Sequence, residues 1–167
     1  MTESGRPIII SGWKIYGHSL FLEQLEELIT EVERLKQRDA SGYRRKNPTK
    51  RLAAIVRLAF DVIPQDPTRP EYRQGTTLGK QHKHWFRAKF FQQYRLFFRY
   101  SQRDKVIIFA WVNDERSKRA YGSASDVYAI FRKMLESGSP PDTWEELLAE
   151  ARKNHSRLRK AVPTSKW

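Results

Sequence analysis

Residues 84–112 constrain the fold more than any other part of the chain, because apolar residues alternate there with basic ones. β-Branched and aromatic residues with a period of two are typical of half-buried strands. The pattern predicts a meander of three strands, at about residues 84–91, 94–101 and 105–112, joined by short turns. An antiparallel sheet therefore forms the centre of the predicted fold.

The length of the first turn decides which side chains share a face of this sheet. A two-residue turn at Gln92-Gln93 would mix arginines with phenylalanines, which suits neither water nor a core. A three-residue turn separates two sets. The apolar set is Phe86, Ala88, Phe90, Tyr94, Leu96, Phe98 and Tyr100, and the basic set is Arg87, Lys89, Arg95, Phe97 and Arg99. We prefer this second register. It predicts a basic face that is solvated or covered by an anionic ligand, since burying unpaired charge is costly.

Helices are predicted before and after the meander in the sequence. Apolar residues recur at helical spacing over 20–38 and again over 47–63. The second helix is predicted to begin at Asn47-Pro48 and to end at Pro64. A short strand is predicted at 8–16, and two C-terminal helices are predicted at about 123–137 and 142–151. We predict one α+β domain over residues 1–152, with about four strands, followed by a mobile basic tail at 153–167.

Charge limits the choice of partner. The chain has 32 Lys and Arg against 19 Asp and Glu, a formal net charge of +13. Such an excess favours nucleic acid as the partner. There is no cysteine, which excludes disulfides and thiolate ligands. The apolar runs are too short to span a bilayer and the N-terminus is not typical of a signal peptide, so we expect a cytoplasmic protein without membrane contact.

The basic face suggests metal-free cleavage of RNA. The adjacent acids Asp114 and Glu115 point apart on a strand, so we expect neither a metal nor a cofactor. RNA supplies its own nucleophile, the 2′-hydroxyl, and the protein must then stabilise phosphate charge and move protons. The candidates for charge stabilisation are Arg87, Lys89, Arg95 and Arg116. The candidates for proton transfer are His84, Lys89 and Tyr121, although a lone His is more often an ordinary surface residue.

Residues beside this set are expected to contact RNA through charge or base stacking. They are Lys83, His84, Trp85, Phe97, Arg99, Lys118 and Arg119. The alternative interpretation is a solvated strand face whose cations only keep the sheet edge soluble. No acidic residue lies between Glu71 and Asp104, which favours contact with nucleic acid.

Three segments of the chain resemble the YhaV family of bacterial toxins: GWKIYGHSLFLEQLEELITEVERL, KNPTKRLAAIVRLAF and HWFRAKFFQQYRLFFRYSQRDKVIIFAWVNDERSKRAYGSASDVYAIFRKMLESGSPP. The resemblance covers about residues 12–152. It implies a RelE-like ribonuclease fold, in which two N-terminal helices pack on a twisted antiparallel sheet and further helices follow. It also implies the toxin of a type II toxin–antitoxin system, which cleaves mRNA in association with the ribosome and inhibits translation and growth. The implied partner is a PrlF-type antitoxin, with operator DNA contacted only through the complex of the two proteins.

The RelE-like pattern also implies a set of catalytic residues. Arg87 and Lys89 match its two basic residues on one strand, and Arg95 matches its arginine on the next. Arg116 and Tyr121 match a later arginine and tyrosine, at a spacing one residue shorter than in better-known relatives.

The residues alone leave two alternatives open. One is a non-catalytic basic inhibitor that binds RNA or the ribosome, and the other is a DNA-binding regulator that acts with its antitoxin, although no helix-turn-helix or basic zipper is present.

Overall fold

The computed structural model describes residues 6–114 and 124–162, with the side chains of residues 124–126 excluded. The strands in these ranges are β1 (Ile8–Ile10), β2 (Trp13–Gly17), β3 (Phe86–Phe90), β4 (Tyr94–Ser101) and β5 (Val106–Val112). The helices are α1 (Ser19–Arg38), α2 (Asn47–Arg57), α3 (Ala124–Ser137), α4 (Trp144–Lys153) and α5 (His155–Ala161). The predicted α+β class is confirmed.

The sheet has one strand more than the sequence predicts, and it is mixed rather than antiparallel. Its order is β1-β2-β5-β4-β3, with β2 parallel to β5 and every other pair antiparallel. The predicted single strand at 8–16 is a hairpin, because Ser11 and Gly12 both have positive φ, 52° and 86°. Two such residues form the tight turn that reverses a chain between paired strands. This reversal adds the fifth strand and sets the direction of β2.

The hairpin of β3 and β4 has the register that the sequence favours. Phe86 pairs with Phe98 and Phe90 pairs with Tyr94, so residues 91–93 form a three-residue turn. Phe91 and Gln92 in this turn have positive φ values of 48° and 65°. The predicted division of the strands into two faces is therefore confirmed.

The apolar face of the sheet, called here the dry face, packs against α1 and α2. Its buried members include Leu96, Phe98 and Phe109, together with Leu22 and Leu52 from the helices. The chain continues from α2 through a π-helical turn at Leu58–Val62 and a last α-helical turn at Ile63–Gln65. A hydrophobic core thus lies between these helices and the dry face of the sheet.

The opposite face, called here the basic face, is also covered. Phe97 on β4 stacks on Phe131 of α3 at 4.2 Å between ring centroids, and Leu147 of α4 belongs to the same buried cluster. Arg87 is 8% exposed and Arg95 is 6% exposed. The expectation of a solvated basic face is therefore wrong for Arg87 and Arg95, because the amphipathic helix α3 packs across these strands, while Lys89 is exposed.

The C-terminal segment corrects a second expectation. Residues predicted to begin a mobile tail form the end of α4 and then α5, whose Leu158 is fully buried against the dry-face core. Arg157 on α5 pairs with Glu26 on α1 at 2.7 Å. The described part of the tail, up to residue 162, is thus packed on the domain. No helix in the described ranges is long and apolar enough to cross a bilayer.

Candidate active site

Arg87 and Arg95 meet in the interior of the basic face. Arg87 lies on β3 and Arg95 on the neighbouring strand β4, with side chains on the same side of the sheet. Both donate to the hydroxyl oxygen of Tyr128 on α3, through Nε at 2.8 Å from Arg87 and at 3.3 Å from Arg95. One hairpin and a helix whose Tyr128 lies at least 33 residues further along the chain therefore bring two guanidinium groups to one oxygen atom.

Within residues 6–114 and 124–162, the other acceptors of these two arginines are main-chain carbonyl oxygens. Arg87 Nη1 donates to Glu71 at 2.8 Å and to Arg73 at 2.9 Å. Arg95 Nη1 donates to Gln92 at 2.7 Å and to the carbonyl of Tyr94 at 3.0 Å. Carbonyl and hydroxyl oxygens satisfy hydrogen bonds but carry no formal charge. Two buried positive charges thus lie together where a phosphate group would match both charge and fork geometry.

Asn113 fixes the position of Arg95, although the sequence gives no sign of this role. Its Oδ1 accepts from the backbone N–H of Arg95 at 2.7 Å, and its Nδ2 donates to the carbonyl of Gln93 at 2.9 Å. Asn113 is almost completely buried at the end of β5. The hairpin turn and the strand that carries Arg95 are therefore tied to the centre of the sheet. Lys89, paired with Arg95 across the hairpin, is exposed.

A second group of polar residues lies toward the other end of the basic face. The Oδ1 atom of Asp142 lies 2.8 Å from His84 Nε2 and 3.2 Å from His82 Nδ1, and it accepts from Trp85 Nε1 at 2.8 Å. Burial raises the pKa of the Asp142 carboxyl, but the hydrogen bonds from Trp85 and His84 and the nearby imidazoles bring the pKa below its ordinary value. His82, His84 and Asp142 are called here the His–Asp cluster.

Arg99 connects this cluster to the sheet. Its guanidinium lies over the rings of Trp85 and Trp144, 5.6 Å and 5.4 Å from their centroids, and Nη1 donates to the carbonyl oxygen of Asp142 at 2.6 Å. Burial lowers the pKa of Arg99, while the carboxylates of Asp142 and Glu145 act to raise it. Arg99 therefore holds the segment before α4 against the basic face.

Comparison with known proteins identifies the family. Residues 15–152 match the family described as "Toxin with endonuclease activity, of toxin-antitoxin system", the YhaV toxins. The chain belongs to the YhaV toxin family. It is therefore the toxin of a toxin–antitoxin system and has endonuclease activity, as the sequence predicts.

Three curated YhaV toxins from Escherichia coli are similar to the chain. Ribonuclease toxin YhaV of strain K12, Toxin YhaV of O157:H7 and Toxin YhaV of O6:H1 are each 44% identical over 151 residues. The matched region is 89% of this chain and 98% of each relative. No solved structure matches the chain.

The residues of this YhaV family member that are expected to contact RNA differ in how far they are exposed to solvent. Trp85 and Phe97 have no exposed surface, so their rings are not available to unpaired bases in this conformation. Both rings pack against Phe131 of α3. Lys83 is exposed and His84 is half-buried. Four further predicted residues lie outside the described residues: Arg116, Lys118, Arg119 and Tyr121.

Proposed function

We propose that this YhaV family toxin is an endoribonuclease that cleaves mRNA without a catalytic metal, with Arg87 and Arg95 binding the scissile phosphate. The observation that carries the proposal is the convergence of both guanidinium groups on Tyr128, with uncharged oxygens as their acceptors in the part of the chain that the structure describes. The similarity to a protein named a ribonuclease toxin supports RNA as the substrate. The net charge of +13 supports it too.

In the proposed reaction, the 2′-hydroxyl oxygen of the RNA attacks the adjacent phosphorus and the bond to the 5′-oxygen breaks. A base takes the 2′-hydroxyl proton and an acid protonates the leaving oxygen, which gives a 2′,3′-cyclic phosphate and a 5′-hydroxyl end. Negative charge grows on the phosphate oxygens during this step, and Arg87 and Arg95 stabilise it. We assign proton transfer to Lys89 or Tyr121 and further charge stabilisation to Arg116.

Access to the two arginines requires a local change in α3. The Tyr128 hydroxyl occupies the position between the two Nε atoms, and Tyr128 is itself buried. We propose that an RNA phosphate takes the place of this hydroxyl as the acceptor, while the tyrosine ring turns away. Lys83, His84, Arg99, Lys118 and Arg119 then contact the RNA on either side of the cleaved bond.

The wider proposal follows the RelE-like relationship that the sequence implies. The toxin acts in the cytoplasm on mRNA held by the ribosome, and cleavage stops translation and growth. A PrlF-type antitoxin covers at least part of the basic face, because opposite charge favours and speeds such an encounter. Operator DNA is bound only by the complex of toxin and antitoxin.

The first test compares RNA alone with programmed ribosomes, each incubated with purified toxin in the presence of EDTA, followed by mapping of the RNA ends. We expect breaks that persist in the chelator and leave 2′,3′-cyclic or 3′-phosphate ends. Loss of cleavage in EDTA contradicts the metal-free mechanism. Salt-sensitive binding of RNA that stays intact under every condition contradicts catalysis and favours a non-catalytic inhibitor.

The second test changes one guanidinium. Arg87→Lys keeps the charge but loses the fork that reaches Tyr128 and the two carbonyl oxygens, so we expect the cleavage rate to fall by about 10²–10³-fold. The matched control is Arg103→Lys, at a side chain that is 92% exposed on the turn after β4. We expect the control to cleave like the wild type. A folded Arg87→Lys variant with the wild-type rate excludes Arg87 from the site.

A further inference from the structure

We propose that the His–Asp cluster binds one transition-metal ion of the zinc class. His82 and His84 belong to the segment before β3, whereas Asp142 belongs to the segment before α4. Imidazole nitrogen and carboxylate oxygen are the ligands that Zn²⁺, Co²⁺ and Ni²⁺ accept together. The bound ion would join two segments that are 58 or more residues apart in sequence.

The positions of the three ligand atoms fit this proposal. One imidazole nitrogen of His82, one of His84 and one carboxylate oxygen of Asp142 all lie within 4.8 Å of one another. Zinc ligands at about 2.0–2.2 Å in a tetrahedron lie roughly 3.3–3.6 Å apart. The observed separations of 3.2 Å and 2.8 Å between Asp142 and the imidazoles need only small side-chain shifts to admit an ion. The fourth position is left for water.

Buried polar side chains hold the backbone of two of these ligands. The Gln74 side chain donates to the carbonyl oxygen of His82 at 2.8 Å, and Arg99 donates to that of Asp142. Gln74 is 4% exposed and also accepts from the backbone N–H of Leu78. Fixing the ligand backbone in advance lowers the entropy lost on binding. Trp85 adds an N–H donor to the carboxylate, which is the usual way in which an outer residue orients a metal ligand.

The positive charge of Arg99 repels a metal ion at the His–Asp cluster, but the surroundings of the guanidinium reduce this repulsion. The guanidinium lies over two indole rings, whose faces are electron-rich, and it donates to the backbone of Asp142 rather than to the carboxylate. Arg99 is four residues from Arg95 along β4, or about 13 Å. The ion is therefore separate from the two phosphate-binding arginines and has a structural role.

The test uses untagged, full-length toxin that has been treated with a chelator and dialysed. Zn²⁺ is titrated by calorimetry and Co²⁺ by visible absorption. We expect one ion per chain and the Co²⁺ bands of a low-coordinate site. His84→Ala and Asp142→Asn should each weaken binding at least 10-fold, and Trp85→Phe should weaken it about 10–100-fold. The matched control is Glu146→Gln, an exposed carboxylate on α4, which should bind like the wild type.

Thermal unfolding checks that the variants are folded. Zn²⁺ should raise the melting temperature of the wild type and of Glu146→Gln, but not that of the isosteric Asp142→Asn. Failure of the wild type to bind these ions at millimolar concentration overturns the proposal, as does undiminished binding by both His84→Ala and Asp142→Asn. Chelation separates the two proposals. If Zn²⁺ binds, and toxin that stays folded in the chelator no longer cleaves RNA, the metal-free mechanism fails while the site stands.

Discussion

Helices pack on both faces of the sheet, but the two faces differ in chemistry. The dry face packs aliphatic and aromatic side chains against α1 and α2, whereas the basic face packs aromatic rings of α3 around Arg87 and Arg95. A buried guanidinium reduces stability unless its hydrogen bonds are satisfied, and an apolar residue of similar size would cost less. The comparison teaches that burial alone does not distinguish core from site. What marks the site is that, among the described residues, both arginines have only uncharged acceptors, and four substitutions test this distinction.

Phe98→Ala on the dry face should have the largest effect on stability. Phe98 is fully buried, and its ring contacts those of Tyr72, Phe86 and Phe109. Loss of the ring should lower the free energy of unfolding by about 3–5 kcal/mol, measured by urea denaturation. The control is Phe91→Ala. Because Phe91 is 52% exposed, this substitution should change the free energy of unfolding by less than about 0.5 kcal/mol. A loss below about 1 kcal/mol for Phe98→Ala would contradict this account of the dry face.

Arg95→Met on the basic face should lower the free energy of unfolding less than Phe98→Ala does, but it should reduce RNA cleavage more. The carbonyl oxygens of Gln92 and Tyr94 lose a donor, which costs about 1–3 kcal/mol. This cost is partly offset, because the substitution also removes a buried charge and because methionine replaces the aliphatic part of the arginine with a side chain of similar shape. Cleavage of RNA should be abolished. Arg103→Met serves as the exposed control. If Arg95→Met lowers the unfolding free energy as much as Phe98→Ala, Arg95 is a structural residue and the two faces are alike.

Tyr128→Phe should have a smaller effect, because it removes one shared acceptor and leaves both arginines in place. We expect the free energy of unfolding to fall by about 1 kcal/mol. Cleavage should be reduced less than by Arg95→Met, since the guanidinium groups remain to bind phosphate. Both quantities are measured on the same preparation. A complete loss of cleavage would mean that the hydroxyl itself takes part in the reaction.

Lys89→Ala should leave stability within about 0.5 kcal/mol, because this side chain is exposed. The proton transfer proposed for Lys89 would place its charge next to the RNA backbone. Its loss should therefore appear in the salt dependence of binding, with the slope of log affinity against log salt reduced by about 1. Lys50→Ala, an exposed lysine on α2 across the dry face, should leave the slope unchanged. Equal slopes for wild type and Lys89→Ala would remove Lys89 from the RNA-binding surface.

The sequence predicts the β3–β4 hairpin well because only one register separates charge from apolar residues. It does not predict that the basic face is covered, because alternation along a strand shows which residues share a face but not what packs on it. The hairpin at Ser11-Gly12 is missed because this pair is not among the strongest turn signals. The contact of His84 with Asp142 joins residues 58 positions apart, and neither local pattern points to the other.

The central position of β5 has a consequence for how the toxin is made. β5 lies between β2 and β4, and its parallel pairing with β2 joins residues such as Lys14 and Val106, roughly 90 positions apart. During synthesis, the apolar sides of α1 and α2 have no complete sheet to cover until β5 has left the ribosome. A growing chain therefore cannot complete this sheet until about two thirds of its residues have been synthesised.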